Sequence, residues 1–116
     1  MQNEVKIVDN TIIIDYNGTR IFRPLNNIRF CEALSHYCEI YFDTVKPVVA
    51  PIAISKLEQM LPKNAFYKCH RRIIIHFDIL NNAEVKEDKI YYNKYILPIS
   101  RNNFHEFINR SEAFRF

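Results

Sequence analysis

The chain reads as a mainly β domain of small antiparallel sheets with one or two short helices, and three observations predict this. Short runs rich in Ile, Val, Tyr, Phe and Thr dominate, each bounded by turn residues. One boundary is Asn17-Gly18, the strongest short-range hairpin signal, because both residues accept the positive φ of a tight two-residue turn. Only two stretches carry an apolar stripe at helical spacing, and both are short.

The elements follow in order. Glu4 to Arg23 has the look of ordered strands, with Thr11 to Tyr16 and Thr19 to Arg23 paired across Asn17-Gly18. Gly18 is the sole glycine, so other turns fall to Asn26-Asn27, Asp43, Asn81-Asn82 and Asn93, since Asn and Asp tolerate the left-handed region better than most residues. Ile28 to Ala33 and Tyr37 to Phe42 form a second hairpin around Leu34-Ser35-His36. Pro47 to Ala50 is an edge segment, because Pro has no amide to give a central ladder.

A helix starts at Ser55, where Ser55 and Glu58 have capping-box spacing. Leu57, Met60 and Leu61 share its inner face and Pro62 stops it. Strands are expected at Phe66 to Cys69, Ile73 to Ile79, Lys89 to Tyr92 and Tyr95 to Ile99. The second helix runs from about Arg101 to Asn109, with Phe104, Phe107 and Ile108 at i, i+3 and i+4. Glu112 to Phe116 is expected to fray.

Length and composition bound the rest. A chain of 116 residues with 48% apolar and 25% charged residues is one globular domain, large enough to bury a real core. No apolar run approaches the roughly 20 residues that span a bilayer, and no basic-then-apolar leader opens the sequence. A cytoplasmic location is the expectation. The three cysteines, Cys31, Cys38 and Cys69, form no CxxC pair and no disulfide framework. Cys31 and Cys38 read as small buried hydrophobes. Cys69 lies beside basic residues that would lower its pKa, which leaves a redox role open.

The charge is placed unevenly. From Lys63 to His76 there are Lys63, Lys68, Arg71 and Arg72 and no carboxylate, with Glu58 and Asp78 flanking. The net charge of +3 matters less than this cluster. Cations beside phosphates release condensed counterions, the main sequence-independent source of nucleic-acid affinity. An enzyme is not expected. Cys69, His36, His70 and His76 offer no base oriented by a third group, and a chain with one glycine has no Gly-rich phosphate loop. A zinc site from Cys69, His70 and His76 is not expected, nor is any cofactor.

Four motifs in order carry a resemblance. They are Ile28-Arg29-Phe30-Cys31-Glu32-Ala33; Ile54-Ser55-Lys56-Leu57-Glu58-Gln59-Met60-Leu61-Pro62; Phe66, Lys68, His70, Arg71, Ile74 and Ile75; and Leu97-Pro98-Ile99-Ser100-Arg101. Together they resemble the LytTR DNA-binding domain, the output module of LytR/AlgR-type bacterial transcription regulators. The resemblance covers about Leu25 to Phe107. It divides the single domain 1–116 into an N-terminal hairpin extension, 1–24, and a family-like core, 25–110.

The resemblance implies an elongated domain that binds duplex DNA through loops in successive major grooves, often over direct repeats, with a dimer on DNA possible. By position it assigns DNA contact to His36, Arg71 and Arg101. Lys56 and Lys68 follow as phosphate contacts, and Ser100 and Asn102 flank Arg101, with Ser100 capping the last helix. A solvated turn residue explains His36 equally well. His70 is expected to brace its turn through the backbone. The sequence departs from the family pattern at Arg72, where the pattern has Ser, and at His76, where it has Asn. Arg72 either adds a phosphate contact or leans to the other face of the strand, and the sequence leaves this open.

Two questions of context remain at this level. A phosphorylation-dependent regulator would need a receiver domain of roughly a hundred further residues. The chain is thus either a stand-alone regulator or part of a larger one, and the ordered N-terminal strands favour a self-contained domain. The alternative to DNA binding is a protein-interaction or dimerisation module of the same fold.

Overall fold

The structure, a computed structural model, describes residues 3–114. Eleven strands and two α-helices follow one another along the described chain: β1 (Glu4–Val8), β2 (Thr11–Tyr16), β3 (Thr19–Pro24), β4 (Ile28–Leu34), β5 (Tyr37–Phe42), β6 (Val48–Ala50), α1 (Ile54–Met60), β7 (Phe66–His70), β8 (Ile73–His76), β9 (Ala83–Lys86), β10 (Lys89–Tyr92), β11 (Tyr95–Pro98) and α2 (Phe104–Phe114). They make three antiparallel sheets, β1-β2-β3, β6-β5-β4-β8-β7 and β11-β10-β9. The principal extents are 44 × 28 × 26 Å, so the domain is elongated.

The five-stranded sheet is the middle layer of three. Side chains alternate across a strand, and β8 shows why the layer has cover on both faces: Ile73, Ile74, Ile75 and His76 are all buried. Ile74 joins one core with Cys31, Cys38, Ile40 and Phe66. That core is closed by Ile12 and Ile14 of the N-terminal sheet and by Ile54, Leu57 and Leu61 at α1. Ile73 and Ile75 join the other, with Phe30, Tyr67 and Cys69, closed by Ile90, Tyr92 and Leu97 of the C-terminal sheet and by Phe107 of α2.

In β4 the alternation breaks. Ile28 and Phe30 share parity yet lie in opposite cores, because the register with β5 shifts between them. A bulge of this kind inserts one residue and re-aims the side chains beyond it. Phe30 then stacks on Tyr41 at 4.2 Å and meets Tyr95 edge-on at 5.0 Å.

Local chemistry accounts for the turns. Asn17 (φ 51°) and Gly18 (φ 82°) take the left-handed conformations expected of them, and Asn93 (φ 53°) does the same between β10 and β11. Asp9 and Asn10 form a comparable turn that adds β1 as a third strand to the N-terminal hairpin. Asn26-Asn27 and Asn81-Asn82 instead lie in 3₁₀ turns, Leu25–Asn27 and Phe77–Asn82, and the latter cuts the expected long strand off at His76. Strand β9 was not expected, since Ala83-Glu84-Val85-Lys86 is half charged and carries little strand signal.

Both helix starts differ from expectation. Helix α1 begins at Ile54, with Ala53 at its cap and no side-chain cap bond. The Ala53 carbonyl accepts from the Lys56 and Leu57 amides at 3.1 and 3.0 Å. Ser55 is therefore inside the helix and forms no capping box. Burial decides this, because an earlier start puts Ile54 on the inner face with Leu57.

The second helical region opens with a 3₁₀ turn, Arg101–Asn103. Ser100 precedes it without a side-chain cap bond, against the expectation that it would cap. Helix α2 then continues to Phe114, past the expected end near Asn109, and Ser111 is buried with its hydroxyl donating to the Ile108 carbonyl at 2.9 Å; of the segment expected to fray, Arg115 and Phe116 lie outside the described residues. Among the described residues no helix is long and apolar enough to cross a membrane.

Candidate nucleic-acid interface

Three turns suggested by the sequence come together at one end of the middle sheet. The β4–β5 hairpin turns at Ser35-His36, with Ser35 at φ 57°. A non-glycine residue there stores backbone strain, which packing must over-determine. The β7–β8 hairpin turns at Arg71-Arg72. Because β4 pairs with β8, with Glu32 opposite Ile73, the two hairpins end side by side. The Ala33 amide donates to the Arg72 carbonyl at 2.9 Å and extends that ladder into the turns. On the other flank, the Ser100 amide donates to the Cys69 carbonyl at 2.7 Å. The His70–Arg72 turn thus lies between the Ser35-His36 turn and the Ser100–Asn102 segment.

The side chains divide into engaged and unengaged. His36, Arg71 and Arg101 are exposed, and among the described residues none has a hydrogen bond or ion pair at salt-bridge distance. Asn102 is also exposed. His70 braces its turn as expected, its Nδ1 accepting from the Arg72 amide at 3.2 Å. Arg72 donates from Nη2 to the Ala33 carbonyl at 3.1 Å. Lys68 pairs with Glu58 at 3.2 Å in a groove of about 160 Å³ that Lys63, Glu106 and Arg110 also line. Lys56 stands exposed on α1, outside the hydrogen-bonded cluster of turns.

Neighbours that the sequence did not reveal shape two of the turns. Tyr37, at the foot of the first turn, meets Tyr16 of the N-terminal sheet edge-on at 5.6 Å. Hydrogen bonding to Tyr16 raises its phenol above the ordinary range. Glu87 and Asp88, in the β9–β10 turn, share a shallow depression with Arg101, Phe104 and His105. Hydrogen bonding to Lys89, the backbone and the nearby Arg101 charge hold the Asp88 carboxyl below the usual range.

The cysteines are three buried free thiols. Burial pushes Cys38 up to about 11 and Cys69 up to about 12, and raises Cys31 further. The basic neighbours of Cys69 therefore do not generate a thiolate, which argues against a redox role for it. Its thiol instead bonds the Pro98 carbonyl at 3.4 Å. His76, at the second departure from the family pattern, is buried against Phe66, and its Nδ1 accepts from the Asp78 amide at 3.0 Å. Burial lowers its pKa. Among the described residues no three His, Cys, Asp or Glu side chains gather as metal ligands.

Comparison with known proteins places this arrangement. The family model for the LytTr DNA-binding domain matches residues 18–111, so strand β3 lies within the matched region. Among solved structures, the chain is similar to a LytTr DNA-binding domain from Bacillus cereus, belonging to a protein described as a putative methyl-accepting/DNA response regulator. The TM-score is 0.69 at 16% identity, covering 89% of this chain and 97% of that one. No curated protein matches. The match over most of the chain, on the same mainly β fold, leads to one conclusion: the chain belongs to the LytTr DNA-binding domain family.

Proposed function

We propose that this domain binds duplex DNA sequence-specifically, as the output module of a transcription regulator, by inserting its turns into the major groove. The supporting observation is the pair of backbone bonds, Ala33 to Arg72 and Ser100 to Cys69, that sets three turns in a row. His36 lies in the first turn, Arg71 in the second and Arg101 in the third. The first two turns are centred two strand spacings apart, about 10 Å, which suits a major groove about 12 Å wide.

In this reading Arg71 and Arg101 read guanine through bidentate bonds, and His36 supplies a further polar contact. Lys56, Asn102 and the exposed amides near Ser100 meet phosphate. Lys68 contributes only if DNA draws it away from Glu58. The reading needs no cofactor and no catalysis. Two copies on direct repeats, and a receiver domain or signalling partner outside this chain, belong to the same proposal.

Selection of bound duplexes from a random pool tests it. The expected result is an enriched repeat about one helical turn apart, bound with an affinity that falls steeply with salt. Absence of binding at low salt would overturn it and leave the interaction-module alternative.

A further inference from the structure

The two adjacent arginines of the middle turn are not equivalent. Arg71 has no partner among the described residues, whereas Arg72 is committed three times. Its amide donates to His70 Nδ1 at 3.2 Å, its carbonyl accepts from the Ala33 amide at 2.9 Å, and its guanidinium Nη2 donates to the Ala33 carbonyl at 3.1 Å. Main chain and side chain of one residue thus grip both backbone groups of another. Ala33 sits in β4, two residues before the left-handed Ser35 and three before His36.

A serine at position 72, as in the family pattern, ends one bond beyond Cβ. It could close its own turn but would not reach across to the neighbouring strand's carbonyl. Arg spans that gap, and a guanidinium donating to a carbonyl is a charge-assisted hydrogen bond with a fixed direction. That one bond from Nη2 ties the head of the side chain to β4 and so fixes where the rest of the guanidinium lies.

We propose that Arg72 is a positioning residue rather than a phosphate contact: it clamps the β7–β8 turn to the β4–β5 turn and so fixes the placement of Arg71 relative to His36. The inference rests on the DNA-binding reading proposed for this domain. It assigns adjacent residues different work, with Arg71 facing the ligand and Arg72 holding the frame.

The test compares Arg72→Ala and Arg72→Lys with wild type on a duplex selected by the wild-type protein and on an unrelated duplex, over a range of salt. A clamp predicts that Arg72→Ala loses about tenfold on the selected duplex only, with an unchanged salt slope. Arg72→Lys, which keeps the charge but ends one bond short of Nη2 and so falls short of the Ala33 carbonyl, should stay close to Arg72→Ala. In a His36→Ala background, removing Arg72 should cost less than twofold more. Equal losses on both duplexes, a salt slope flatter by about 0.9 and full rescue by Lys would overturn the clamp in favour of a phosphate contact. So would additive losses with His36→Ala.

Amide hydrogen exchange separates this inference from the function reading. Without any DNA, Arg72→Ala should speed exchange at Ala33 about tenfold, and unchanged exchange there would overturn the clamp. A wild-type protein that binds no duplex would sink the function reading, while the exchange result would still decide whether the two turns are clamped.

Discussion

Replacing Phe107 with Ala should loosen the third turn from a distance. Phe107 is 1% exposed, on the inner face of α2, and its ring lies 6.1 Å from that of Tyr67 on β7. Around it, the Tyr67 hydroxyl donates to Glu106 Oε1 at 2.8 Å, and the Arg110 guanidinium lies over Tyr67 and Phe77 at 5.4 and 5.7 Å. Phe107 is the fully buried apolar group of this docking, so its loss removes transfer free energy and leaves a cavity. For Phe→Ala in a core this costs about 3–5 kcal/mol, against a total of about 5–15 kcal/mol for a typical domain.

With about 4 °C per kcal/mol for a domain of this size, Tm should fall by about 12–20 °C. Urea melts with unchanged m would confirm a stability effect. DNA affinity should fall at temperatures well below the melt, because α2 follows directly from the Arg101–Asn103 turn. A destabilisation below about 1 kcal/mol would refute the reasoning, since it would mean that α2 does not hold the sheet through Phe107. Phe107→Leu should recover much of the loss, because it restores most of the buried volume.

Four further outcomes are expected from the site and core. Arg71→Ala and Arg101→Ala should each weaken binding to the selected duplex by about 1–3 kcal/mol, about 5- to 150-fold, and wild-type affinity in a folded variant would remove that residue from the site. Lys56→Ala should weaken all duplexes alike and flatten the salt slope by about 0.9; a loss confined to one sequence would contradict a phosphate role. Glu58→Gln should free Lys68 and strengthen binding to unrelated duplexes, an effect that shrinks as salt rises; weaker binding would mean the pair positions α1 instead. His76 gives a pH dependence of stability. Its folded pKa lies below the ordinary 6.5, so the unfolded chain takes up the proton first, and stability is lost as pH falls below about 6.5 until the folded pKa is passed. Denaturant melts between pH 7.5 and 5 should show this, and His76→Asn should flatten it.

Much of the fold was legible because its signals are local. Positive φ at Asn17-Gly18 and Asn93 comes from residue chemistry, and the limits of β5 and β10 come from apolar alternation between turn residues. Ser55 misled because a capping box is a local preference of about 1 kcal/mol, while burying Ile54 is worth about 1.5–3 kcal/mol. Strand β9 escaped because its side chains are half charged and its backbone is held by pairing with β10. Cys69 looked reactive from its basic neighbours in sequence, but the thiol points into the core, where desolvation outweighs them.

The sequence by itself determined which residue types stand in each turn: His36, then His70, Arg71 and Arg72, then Ser100, Arg101 and Asn102. Its motifs, read against a known family, named their order. Only the tertiary structure decided that the three turns adjoin, that Arg72 and Lys68 are held by Ala33 and Glu58 while Arg71 is not, and that Asp88 lies beside Arg101. The physical reason is range. Backbone preference and side-chain parity act within a few residues, whereas the partner of an amide or a guanidinium is supplied by a strand tens of residues away, and that neighbour exists only once the sheets have paired.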